Sequence, residues 1–149
     1  MCSNLNPMFS KACEYGIKAM IYIAQQEVGQ RVGLKQIAQV TESPEAFTAK
    51  TLQILARNGV LVSFKGPTGG FSLSKDSSKI NLAQIVKAID GEEIFTGCGL
   101  GLEKCDASRP CPVHFKFASV RDGLSLMLHS TSLKELADGL DAGTVFLTQ

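Results

Sequence analysis

The chain has 149 residues, 44% hydrophobic and 19% charged, with five cysteines and a formal net charge of +1. That balance excludes a disordered chain and allows one packed core without disulfide staples. "AMIYIA" is too short to cross a bilayer and "MCSNLNPMFSKACEYG" lacks a signal peptide's apolar region, so the expectation is a cytoplasmic protein with no membrane partner. In such a reducing compartment, clustered cysteines are more often metal ligands or redox groups than disulfides. Residues 1–75 hold eight Lys+Arg against four Asp+Glu, and residues 76–149 hold seven against ten. A basic first half is what a nucleic-acid face needs, although solvated surfaces produce such splits too.

The first helix is predicted to start near Ser10. Tyr15, Ala19, Tyr22 and Ile23 form its apolar stripe, thickened by Ile17, Met20, Ile21 and Ala24. Cys13 reads as a small core residue. "LKQIAQVT" predicts a short helix with Leu34, Ile37, Ala38 and Val40 on one face. "TESPEAF" is a start signal: Ser43 as the cap, Pro44 in the first turn, Glu45 at the positive end of the dipole. In the helix that follows Phe47, Thr51, Leu52, Leu55 and Ala56 share a face, and Asn58-Gly59 ends it. "VLVSF" and "GFSLS" alternate as strands, with "KGPTGG" the hairpin tip between them. Two short helices and a hairpin outline a winged helix-turn-helix.

Asn81 and Gln84 form a capping box for a further helix carrying Leu82, Ile85, Val86 and Ile89 and stopping at Gly91. A cysteine loop spans about Glu92 to Cys111, and Pro112 opens a long helix. In that helix Val113, Phe117, Val120, Leu124 and Met127 are spaced four, three, four and three, a heptad seam two turns longer than a small domain needs for its own core. Ser132 and Glu135 form a second capping box before a last short helix. The predicted fold is therefore mainly α: a winged helix-turn-helix with a two-stranded β-hairpin wing and a long C-terminal dimerisation helix. Its expected parts are a DNA-binding domain over 8–91, a cluster-binding loop over 92–111, and a dimerisation helix with a short C-terminal helix over 112–140.

A helix in the major groove reads base edges with long polar side chains, which Lys50, Gln53 and Arg57 supply. Thr48 and Thr51 are placed to hold phosphates or thymine methyls. Lys65 at the hairpin tip faces the backbone or minor groove, and Gly66, Gly69 and Gly70 let the main chain approach phosphates. The same pattern also fits an ordinary amphipathic helix and turn.

"GCGLGLEKCDASRPCPVHF" places Cys98, Cys105 and Cys111 with six and then five residues between them, and His114 three positions later. Thiolates bind soft metals and iron–sulfur clusters. Cys111 precedes a helix start, whose dipole favours the ligating thiolate, and His114 lies one turn on. Three cysteines and a histidine also suit a structural zinc, and a loop of plain thiols remains open. No enzyme is expected. "GCGLG" follows no strand and opens no helix, and there is neither a Cys-x-x-Cys pair nor a Ser-His-Asp set. His129 reads as a surface residue.

"YGIKAMIYIA", "LKQIAQ" and "FTAKTLQILARNGVLVSFKGPTGGFSL", in that order, resemble the Rrf-two (BadM) family of bacterial transcription regulators, over about Met8 to Gly139. The resemblance implies a homodimer of winged helix-turn-helix domains on a palindromic double-stranded DNA operator. It also implies DNA contacts from Lys50, Gln53 and the wing from Lys65 through Thr68 to Gly70. By the same resemblance Cys98, Cys105, Cys111 and His114 are the ligands of a [2Fe-2S] cluster. In the nitric-oxide-sensing branch an acidic residue before the first-helix tyrosine completes the cluster from the partner, which makes Glu14 the alternative fourth ligand. Ala49 stands where the iron–sulfur branch carries a glutamate that filters target sites, so that branch's sequence preference is not carried over.

Overall fold

The computed structural model of the chain describes residues 8–147; Cys2 lies outside the described residues. Helix α1 (Lys11–Ala24) starts where the Ser10 side chain accepts the amide of Cys13. It is the centre of the molecule. Cys13, Ala19, Met20 and Ile23 are all at most 3% exposed. Tyr15 and Tyr22 sit at the rim of the core instead of its middle. Tyr15 meets the Phe47 ring edge-on at 5.7 Å, and the Tyr22 hydroxyl accepts from Gln36 at 2.6 Å. A phenol keeps its oxygen where a partner or water can reach it, so the smaller apolar side chains take the interior. At Gly16 an added Cβ would stand 2.4 Å from Ile89 Cδ1 and 3.3 Å from the Thr51 methyl, so helices cross here at close range.

Helices α2 (Leu34–Val40) and α3 (Glu45–Arg57) make the helix-turn-helix. Between them Glu42 takes φ +52°, the non-glycine residue at positive φ among those described. Ser43 does not cap the α3 amides as expected. Its hydroxyl is shared with those of Thr41 and Thr48, and Pro44 takes the cap position with no side-chain bond. Gly59, at φ +73°, ends α3 as the sequence predicts.

The wing pairs β1 (Leu61–Phe64) with β2 (Gly70–Leu73), antiparallel, with Leu61 opposite Leu73 and Phe64 opposite Gly70. Val32 adds a bridge that the sequence does not announce. It exchanges two backbone bonds with Phe71, of 2.8 and 2.9 Å. Gly70 is required there, with φ +142° and room for no Cβ, which would lie 2.6 Å from the Val32 carbonyl oxygen.

Helix α4 (Leu82–Asp90) carries the complete Asn81–Gln84 capping box and stops at Gly91, φ +80°. The loop is not wholly irregular, because α5 (Glu93–Thr96) makes one helical turn in it. Helix α6 (His114–Ser130) begins two residues after Pro112, since the His114 amide is spent on the carbonyl of Cys111, a turn at 3.0 Å. Helix α7 (Leu133–Asp141) has only half of the expected box: Ser132 accepts the Glu135 amide at 3.2 Å. The chain then folds back on itself. Leu82 donates to Thr131 and Leu133 to Ile80, and Leu128 and Leu133, both 0% exposed, join the α1 and α4 core. The C-terminal half of α6 is therefore anchored in the body. Its N-terminal half stands out, with Phe115 68% and Val120 70% exposed.

Candidate functional site

The α3 face and the wing form one exposed surface. Lys50, Gln53 and Arg57 are exposed along α3, and Lys65, Gly66 and Thr68 at the hairpin tip; Gly69 and Gly70 are half-buried below it. Gln53 reaches Ser63 of β1 at 3.4 Å, which ties helix and wing together. Two expected members are corrected. Thr48 and Thr51 are 2% and 3% exposed, and their hydroxyls donate to the carbonyls of Pro44 and Phe47 within α3. A threonine hydroxyl satisfied by its own helix lets the methyl pack inward, as Thr51 does against Gly16. Neither is free to meet a groove. One cation absent from the sequence reading joins this surface. Arg31 stacks on the Phe64 ring at 3.7 Å, where β1 runs into the hairpin tip. The only local sign of it was a basic residue beside a β-branched one between glycines.

Cys105 Sγ and His114 Nδ1 are 3.3 Å apart. His114 is 7% exposed. The amide of Leu100 points at Cys98 Sγ from 3.4 Å. Backbone amides, first that of Leu100 and then that of Leu102, hold the Cys98 thiol below its ordinary range, with Cys111 adding to them. All three loop cysteines are free. Among the described residues no three His, Cys, Asp or Glu side chains converge on one point as a single-ion cage. A cleft of about 910 Å³ opens beside the loop, walled by Cys98, Cys105, Asp90, Phe117 and Arg121 among others. Glu14 is not part of its wall; it pairs with Lys11 at 3.3 Å.

Behind the loop, the Asp90 carboxylate accepts the Ser10 amide at 2.9 Å and the Ser10 hydroxyl. It also faces Cys13. Burial first, then the charge and hydrogen bond of Asp90, push the Cys13 thiol up from 9.0 to about 12. Between those values the unfolded chain releases this proton and the folded chain keeps it, so stability falls as pH rises through the window. Cys13→Ala should flatten that fall. Melting temperatures taken at about pH 8 and about pH 10.5 check it: equal slopes in the two proteins would remove Cys13 from the alkaline limb.

The expected seam lies on one face of α6. Phe117, Val120 and Met127 are 45%, 70% and 45% exposed, with Val113 and Leu124 half-buried between them. No helix among the described residues is long and apolar enough to cross a membrane.

Residues 9–139 match the family model described as Rrf2, iron-dependent transcriptional regulator. A protein of Aquifex aeolicus (strain VF5), predicted to be an HTH-type transcriptional regulator, is 33% identical over 131 residues, spanning 87% of this chain and 90% of its own. The HTH-type transcriptional regulator IscR of Photorhabdus laumondii is 30% identical, over 83% of this chain and 75% of its own. Among solved structures, CymR, the global cysteine regulator of B. subtilis, superposes with a TM-score of 0.74 at 25% identity, over 89% of this chain and 98% of its own. These relatives are transcriptional regulators and not enzymes. A winged helix-turn-helix, a thiol-bearing loop and a match over nearly the whole length place this chain in the Rrf2 family of transcriptional regulators.

Proposed function

We propose that the chain is a cytoplasmic, homodimeric repressor or activator whose grip on a palindromic DNA operator is set by a [2Fe-2S] cluster on Cys98, Cys105, Cys111 and His114. The pairing of these side chains carries the reading. Zinc asks four donors of one point, whereas a two-iron centre takes two donors on each iron. Cys105 with His114, 3.3 Å apart, is one such pair, and Cys98 and Cys111 of the same loop supply the other two donors. The similarity to IscR supports the same ligand chemistry. When bound, the cluster would supply a redox- and nitric-oxide-sensitive centre. The backbone amides around Cys98 favour its thiolate, and burial holds the His114 ring where the Cys105 sulfur meets it. Glu14 of a second copy is the alternative fourth ligand. Lys50, Gln53, Arg57 and the wing from Lys65 to Gly70 would face the DNA, and the seam from Val113 to Met127 would join the two copies. The three-part division at 91 and 111 is functional: body, sensor loop, clasp.

Anaerobic purification followed by iron, sulfide and zinc analysis tests the sensing half. The reading requires visible absorbance with iron and sulfide in equal amounts. Titration of operator DNA at several salt concentrations tests the other half, because affinity that rests on phosphate contacts falls steeply with salt.

A second reading rests on Cys98. Its depressed thiol, and the similarity to a cysteine regulator, fit a metal-free sensor of thiol state. A colourless, iron-free protein whose operator affinity changes on alkylation of Cys98 would establish this second reading in place of the first.

A further inference from the structure

One cation in the sensor loop's cleft has no carboxylate. The ion pairs among the described residues are Lys11–Glu14, Lys87–Glu92 and Lys134–Asp138, and Arg121 belongs to none. Its side chain projects from α6 into the half-buried floor of the loop. One terminal nitrogen, Nη1, donates to the carbonyls of Thr96 and Gly97, at 3.3 and 3.0 Å, and to Cys105 Sγ at 3.1 Å. Its Nε is buried with no partner at all. A guanidinium cannot shed its proton, so a half-buried one without a counter-ion calls for an anion. One turn earlier on α6, Phe117 lies flat under the loop: a Cβ added at Gly99 would stand 2.5 Å from its ring carbons. Phe117 is also a seam residue. Arg121 and Phe117 thus hold the loop at its entry, beside Cys98 and at Cys105, from the helix assigned to pairing.

We propose that Arg121 is a positioning residue that supplies the counter-charge to an anionic sulfur centre in the loop, thiolate or inorganic sulfide, and fastens that loop to the seam helix. The identity of the centre rests on the proposed cluster; the fastening does not. The guanidinium neutralises charge through Cys105, its free Nε takes a further sulfur acceptor, and its two carbonyl bonds keep the loop entry against α6. Loop state and helix placement then move together.

The test uses the full chain with Arg121→Met and Arg121→Lys. In metal-free, reduced protein, hydrogen exchange of loop amides 97–111 should quicken at least about tenfold in the methionine variant, as for a segment released to local opening. The α1 and α4 amides should stay unchanged, and lysine should restore part of the protection. In cluster-loaded protein the midpoint potential should fall in Arg121→Met and stay near the parent value in Arg121→Lys, because removing a nearby positive charge disfavours the reduced cluster. Unchanged loop exchange in Arg121→Met would overturn the fastening, and equal potentials in all three proteins would overturn the counter-charge. Should the methionine variant fail to fold, slow core exchange in Arg121→Lys with a faster loop still supports the proposal, and parent-like loop exchange there rejects it. An iron-free parent protein would sink the cluster reading, and the exchange experiment would still decide the fastening.

Discussion

Cys105→Ala abolishes visible absorbance in anaerobically purified protein and lowers operator affinity by roughly 5- to 150-fold, the usual range for coupling between two sites. Cys105 is the hub of the loop. It touches His114, receives the Arg121 guanidinium, and is no part of the apolar core. Removing its sulfur takes one ligand from the Cys105–His114 pair and frees the middle of the loop from α6. The core of α1, α3 and α4 is untouched, so far-ultraviolet dichroism and the melting temperature should stay close to those of the parent. Affinity drops because half-sites on DNA have fixed spacing, and a loosened loop no longer holds the two winged bodies at one separation. Iron content and absorbance that survive the substitution would show that the cluster, if there is one, is held elsewhere.

Val120→Glu should break the pairing of two copies and, with it, operator binding. Val120 is 70% exposed in the single chain, so the fold has little need of it. An apolar stripe of Phe117, Val120, Leu124 and Met127 along a protruding helix is otherwise a liability in water. A carboxylate placed in the middle of that stripe would be buried unpaired in the dimer, which costs about 3–5 kcal/mol, or roughly two to four powers of ten in the dimer dissociation constant. One winged body alone meets only one half-site, so operator affinity falls with the dimer. Sedimentation equilibrium reads the first effect and a DNA titration the second. Asp122→Lys, a charge reversal at an exposed position on the opposite face of α6, should leave the assembly intact. A Val120→Glu protein that sediments as a dimer would move the interface off this seam.

Much of the architecture was readable because its signals are local. A capping box needs only Asn81 and Gln84 three residues apart, and the structure contains it in full. Gly59 and Gly91 stop their helices because each takes positive φ, which a residue with a Cβ of its own would resist. Alternation in "VLVSF" and "GFSLS" announces the two strands of the wing. Each of these rests on contacts within a few residues, where the chain order is itself the geometry.

Contacts across the fold had no such marker. Thr48 and Thr51 looked like groove readers because threonine on a helix is ambiguous; which face α1 covers decides that they are interior. The bridge from Val32 to Phe71 joins residues far apart in the chain, and a single β-branched residue does not announce a strand. The meeting of Cys105 with His114 depends on how the loop folds over α6, which spacing in the chain leaves undetermined. Arg121 was invisible for the same reason. An arginine in an exposed-looking heptad reads as solvated, and only the loop laid across it turns its charge toward sulfur. Local backbone preferences and periodicity are written residue by residue, whereas a buried partner is chosen by whichever distant segment the packed core brings alongside.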